Sequence, residues 1–466
     1  MKTPKTARDL RKKRKGAIAA MTALLLMAIL GLVACALDIG WIEMTRTQLQ
    51  AVADASSLAG GTELLDGLGY FATKTPDEVV DAATPVAVEF AGHNRNADVE
   101  ASFIDGDRDV KFGKATFDPV EREDSSEGCG CFIKTPASEN PEYYNYIEVT
   151  ALRNQVGSAA GDGPAPLFFA RIFGINEKQL RATATAAILP ANGFHVAEGS
   201  DDTADVMPFA LNGKVWEKFL RGQEYYDAGD GNYAANDPAM LADQTILDDA
   251  TFDDVNNNGV QDAGEPNLPL FWGQEASPPY DPIQIMTDSH TVTDGTVSSG
   301  SDNRLEIRVF PHKGVLTEEA PGGNFGTIDF GGTDNSTQVI KRQILDGLNA
   351  DDMSYYPENE IILSEEDPLE AEADTGISGG IESALESVIG QCRAIALFSA
   401  VTDESGNNTM YTLVEFVALT VVEVDLSSGD KRLIMQRCTL VDDNAVVDTG
   451  DIGPNTTIFT PLILIR

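Results

Sequence analysis

Histidine and cysteine are scarce in this chain, with four of the one and five of the other among 466 residues. His93, His195, His290 and His312 form no His-Glu-x-x-His motif, and the chain lacks a Gly-x-Ser-x-Gly elbow and a glycine-rich phosphate loop. An enzyme is therefore not expected. Cys35 falls in an apolar run, leaving Cys129, Cys131, Cys392 and Cys438 with three ways to pair. Cys129-Gly130-Cys131 has neither Cys-x-x-Cys spacing nor a neighbouring His, so a structural disulfide is expected rather than redox or metal chemistry. Basic charge is also missing from most of the chain, which holds 33 Lys and Arg against 74 Asp and Glu and carries a net charge of −41. Eight of those cations (Lys2, Lys5, Arg8, Arg11, Lys12, Lys13, Arg14, Lys15) crowd the first 15 residues against Asp9, leaving −48 on the rest. So acidic a body repels nucleic acid and anionic lipid headgroups and keeps its surface soluble, and no nucleic-acid partner is expected.

The one long hydrophobic run follows that basic tip. Residues 17–37 carry no charge, and 21 residues at about 1.5 Å each span about 31 Å, the thickness of a bilayer's hydrocarbon core. A secretory signal peptide is the competing reading, with small residues near Val33-Ala34-Cys35 as a cleavage site, but the run exceeds a normal signal core. The helical pattern also continues past it. The basic flank predicts a cytoplasmic N-terminus, with Trp41 in the headgroup layer on the far side. Beyond Asp38 the pattern becomes two-faced: Ile42, Leu49 and Ser56 recur every seventh residue beside Thr45, Val52 and Ala59, and the helix is predicted to stop at Gly60-Gly61. That face either packs under the protein's own head or, in part, against other subunits.

The stretch from Lys15 to Gly61 resembles the N-terminus of the TadG-like and TadE-like proteins of the bacterial Flp (tight adherence) pilus-assembly system. The resemblance rests on Lys15 and Gly16 before the apolar helix, Asp38 and Gly40, then Arg46, Leu49, Gln50, Ala53, Asp54 and Ala55. Prepilin-type substrates of that system are cut after a Gly and carry Glu five residues on. Here a cut after Gly16 would put Met21 there, so the chain is similar to the unprocessed, TadG-like branch. Weaker likenesses follow in "GKATFD" at 113–118, "PLFFARIFG" at 166–174 and "RATATAAI" at 181–188. Some TadG-like proteins also carry a von Willebrand A domain, but Asp425-Leu-Ser-Ser428 has the wrong spacing for its metal motif. The resemblance implies other pilus-assembly proteins as partners.

Downstream patterns predict a small α+β head. Thr75-Pro76-Asp77-Glu78 opens a helix with Val79, Val80 and Ala83 inward. Strands are expected at 99–104 and 110–117 around an Asp105-Gly106-Asp107 turn, at 146–152 and at 180–189. Residues 166–174 read as a short helix, with Phe168, Phe169 and Phe173 as core. In the later half, helices are expected after Asn335-Ser336-Thr337, with Val339, Ile340, Ile344, Leu345 and Leu348 on one face, and at 378–389. Strands are expected at 394–401, 410–424, 433–440 and 457–465.

"DVNNNGVQDAGE" at 254–265 fits the calcium-loop template at each specified position. Asp254, Asn256 and Asn258 would offer side-chain oxygens, Val260 its carbonyl, Asp262 a direct or water-bridged oxygen and Glu265 a bidentate carboxylate. Pro266 follows at once, so an exit helix is not expected, and the stretch resembles the calcium loops of bacterial surface-protein repeats. A second cluster, Asp227, Asp230, Asn232 and Asp237, lacks the spacing.

These readings combine into an α+β protein with a cytoplasmic tip (1–16), a transmembrane helix (17–37), its amphipathic continuation (38–61) and a pilin-like head (62–191). A linker (192–205) and an acidic, calcium-loop-containing, strand-rich mixed α/β domain (206–466) complete it. The expected function is that of a non-enzymatic, single-pass inner-membrane component of a Flp/Tad-type pilus system, able to oligomerise through its helix. The alternative is a calcium-stabilised surface adhesin tethered by that helix.

Overall fold

In a computed structural model the described residues are 7–118, 131–213, 289–309, 326–331, 336–375, 378–402, 409–427, 431–453 and 455–465, with 216, 219, 220, 223, 285 and 286 besides. Helix α1 (Ala7–Gly61) runs unbroken for 55 residues. From Ala20 it contains an 18-residue window of mean hydropathy 2.5, none of it buried, consistent with a single-pass membrane anchor. From Leu49 onward the same helix is covered by its own head. Leu49, Val52 and Ala53 are buried together with Val79, Ala83, Ala87 and Ala91 of α2 (Pro76–Gly92). The seven-residue face is thus satisfied within the chain.

Helix α2 starts where the sequence places it. The Thr75 hydroxyl accepts from the Glu78 amide while Glu78 accepts from the Thr75 amide, a capping box with Pro76 in the first turn. Its alanines at four-residue spacing let α1 approach closely. A side chain at Gly60 of α1 would meet Ile147 at 2.6 Å and the Ala87 Cβ at 3.0 Å. Both helices lie on a five-stranded antiparallel sheet ordered β2 (Cys131–Pro136), β1 (Val110–Asp118), β3 (Tyr146–Arg153), then strand Leu180–Ala187 and strand Ile463–Ile465. In Leu180–Ala187, Ala182, Ala184 and Ala186 face the helices, and their small side chains keep the layers close.

Three expectations fail here. Residues 99–104 form no strand, because the Asp105 carboxylate accepts from the amides of Asp107 and Arg108 and caps a helical turn, α3 (Gly106–Asp109), that feeds β1 directly. The stretch 457–465 is two strands, and its second half closes the edge of the head sheet 276 residues beyond Ala187. Leu345 is exposed, while Gln343 turns inward and donates to the Phe330 carbonyl at 2.9 Å.

The second sheet curls on itself. Strand Thr409–Asp425 pairs along one edge with Cys392–Thr402, and along the other first with Leu369–Thr375 and then with Arg432–Arg437. Leu369–Thr375, Gly326–Ile328, Val206–Asn212 and Cys392–Thr402 complete a ring back to Thr409–Asp425. Helices Thr337–Asp346 and Glu382–Ser387 pack Ile340, Ile344 and Leu385 against it, joined by Val388 just past the second. Ser336 caps the first as expected, and Gly390 ends the second stretch at φ +86°. Val206–Asn212 is buried along its whole length, with alternate residues entering two separate cores.

Between the two sheets lies the segment leaving α1. The Arg437 guanidinium stacks 3.6 Å over the Tyr70 ring and that of Arg304 lies 4.1 Å over Phe71. Gly69, at φ +65°, has no room for a side chain beneath the Thr456 carbonyl. Beside Arg437, Cys438 is bonded to Cys392, one of the three pairings the sequence left open. Cys129 lies outside the described residues.

The disulfide closes a 46-residue separation, so replacing both Cys392 and Cys438 by Ser should cost about 2–4 kcal/mol. Thermal unfolding of the full chain in detergent checks this. A melting temperature indifferent to both the substitutions and reductant would contradict it.

Candidate functional site: the helix–head junction

Asp38 is the first charged residue after the apolar run, and its side chain is only 5% exposed. A lone carboxylate at the end of such a helix needs donors, and the head supplies three. Oδ1 accepts from the amides of Phe168 (2.8 Å) and Phe169 (3.3 Å), and Oδ2 from those of Phe169 (3.1 Å) and Ala170 (2.6 Å). These amides open the 3-10 turn Ala170–Phe173, whose own N-cap residue, Phe169, provides no side-chain cap. Asp38 therefore caps that turn from 130 residues away in sequence.

The turn is a stiff finger. Ala165–Pro166 pairs with Glu177–Lys178, the Leu167 amide donates to the Asn176 carbonyl at 2.9 Å, and Gly174 closes the tip at φ +83°. Trp41, one helical turn past Asp38, meets the Phe168 ring edge-on at a centroid separation of 5.2 Å. The Thr45 hydroxyl in turn donates to the Trp41 carbonyl at 2.7 Å. Burial pushes the Asp38 carboxyl up, but its backbone donors and nearby Arg171 outweigh this and hold it below the ordinary carboxylate range.

Other positions of the N-terminal pattern have plainer duties. Leu49 and Ala53 fill the core, Gln50 donates to Asp54 at 2.7 Å and to the Thr183 carbonyl at 3.3 Å, and Arg46 pairs with Glu43 on the surface. A side chain at Gly40 would meet nothing within 4 Å.

The sequence reading missed the part played by this finger. Phe168, Phe169 and Phe173 are not core; they are 57%, 38% and 76% exposed. A nine-residue apolar segment with Arg171 at its centre has no polar face to give to water, so it fits poorly as a buried amphipathic helix. Its exposure and its partnership with Asp38 required the fold to be seen.

The calcium-loop residues Asp254, Asn256, Asn258, Val260, Asp262 and Glu265 lie outside the described residues, as does the cluster at Asp227, Asp230, Asn232 and Asp237. Among the described residues no three His, Cys, Asp or Glu side chains converge as a metal site.

Residues 16–63 match the Tad family model, described as Flp pilus-assembly TadE/G-like. The matched stretch begins at the Gly before the apolar run and ends two residues after α1, so it contains Asp38 but not the finger that Asp38 holds. No curated protein and no solved structure matches the chain. The match supports involvement in Flp/Tad pilus assembly, whose TadE/G-like members are assembly components rather than typical enzymes.

Asp38→Ala should leave three part-buried amide donors without their acceptor and cost about 1–3 kcal/mol, with faster tryptic cleavage after Arg171 in the folded protein. Because the folded-state carboxyl is depressed, its contribution is complete above the ordinary carboxylate range and is lost as pH falls through the folded value. The melting-temperature gap between wild type and Asp38→Asn should accordingly shrink below about pH 4. Equal cleavage rates and a pH-independent gap would contradict the capping role.

Proposed function

We propose that this protein is a non-enzymatic inner-membrane anchor of a Flp/Tad-type pilus-assembly apparatus. The observation behind this reading is Asp38, which lies inside the stretch matched to the family and is clamped to the head by three backbone amides. Such a clamp transmits the direction of the membrane helix to the exported domains, as an assembly component needs and a passive tether does not. The basic tip holds the N-terminus in the cytoplasm, with the head and strand-rich domain outside. Met21, in place of the Glu of processed prepilins, favours retention of the full helix in the bilayer.

The amphipathic part of α1 is occupied by the head, so any helix-mediated oligomerisation falls to the exposed apolar residues between Ala20 and Leu37. Affinity capture from solubilised membranes tests the assignment. Co-purification of other Tad-system proteins is the expected result; their absence together with binding to an external ligand would favour the tethered adhesin instead.

Calcium is the second part of the proposal, resting on the complete loop template from Asp254 to Glu265. Bound there, it would staple the acidic domain and do no chemistry. Added calcium should raise the melting temperature of the wild type and leave Asp254→Ala with Glu265→Ala unmoved. The same response in both would refute the site.

A further inference from the structure

Among the described residues, the densest group in sequence of exposed apolar side chains outside the membrane run is the finger. Phe168, Phe169, Ile172, Phe173 and Ile175 are 57%, 38%, 80%, 76% and 54% exposed within eight residues. Water-facing apolar groups at this density mark a contact surface. They are not a frayed end, since strand pairing, the Gly174 closure and the Asp38 cap hold the finger in place.

Three observations choose the occupant. The finger sits at the level where the chain leaves the bilayer, because the amides of Phe168 and Ala170 lie 2.8 and 2.6 Å from the carboxylate of the residue directly after the apolar run. It touches α1 through the Trp41–Phe168 contact, and the helix above that contact exposes apolar residues, with Leu32, Val33 and Leu37 at 72%, 52% and 53%. Its exposed charge also runs against that of the chain: Arg171 and Lys178 stand against Glu177, with Arg181 on the adjoining strand, in a body of −48.

We propose that the finger is a second membrane contact. It seats its phenylalanines and isoleucines at the headgroup–acyl boundary of the leaflet from which α1 emerges, with Arg171 and Lys178 at the level of the lipid phosphates. A second protein copy could reach this face only by displacing lipid from beside α1. Two attachments, α1 and the finger, then fix both the tilt and the rotation of the head about the membrane normal. One helix alone leaves that rotation free.

The proposal rests on α1 spanning the bilayer, so the test reads both in one sample. The full chain, wild type and Phe173→Trp, is reconstituted into phosphatidylcholine–phosphatidylglycerol vesicles with and without lipid brominated high on the acyl chain. Alkaline extraction reports whether α1 is inserted. The emission added by the new Trp should be blue-shifted and fall at least twofold in brominated vesicles. An inserted protein whose added emission is unquenched overturns the proposal: at water-exposed wavelengths the finger stands clear of lipid, and at short wavelengths protein covers it. Release at alkaline pH would overturn the anchoring reading and this inference with it.

Discussion

The carboxylate of Asp38 and the three amides of the Phe168–Ala170 turn tie the two environments of this chain together. A helix that is apolar at one end and amphipathic at the other tends to behave as two pieces joined at the surface. Here the residue at the change-over is a buried acceptor whose donors belong to the head. Leaving it unpaired would cost more than the bonds gain, so the carboxylate favours the finger docked against the helix.

The remaining architecture reinforces that junction. Gly60 and the alanines of α2 let the helical layer lie close, and small residues in Leu180–Ala187 do the same for the sheet. The Tyr70–Phe71 segment is then pinned by Arg437 and Arg304 from the strand-rich region, and strand Ile463–Ile465 returns to the head sheet. The head that holds α1 is thereby joined to the strand-rich region through arginine–aromatic stacking and backbone pairing.

Local rules made much of this fold legible. The capping box at Thr75, the Gly60-Gly61 stop, the Ser336 cap and the long strands of the second sheet follow from side-chain chemistry acting within a few residues. What escaped the sequence was long-range. Asp105 offers the same carboxylate to a hairpin turn or a helix cap, and in the cap its own amide also donates to buried Asp109, a pairing no local pattern announces. Phe168, Phe169 and Phe173 have the composition of a core, and what excludes them from it is the position of their turn beside Asp38, at the end of the apolar run. The carboxylate itself was visible as a pattern position and a charge at the flank, but no local signal says that its donors lie 130 residues downstream.

Amide hydrogen exchange at Phe168, Phe169 and Ala170, measured on the full chain in a bilayer, tests the account most directly. If Asp38 welds the membrane helix to the head, these amides exchange as slowly as those of the neighbouring strand Leu180–Ala187, although the turn is exposed and belongs to no long strand or helix. Exchange at the rate of an open surface loop would mean that helix and head move independently, and the rigid-anchor account would fail.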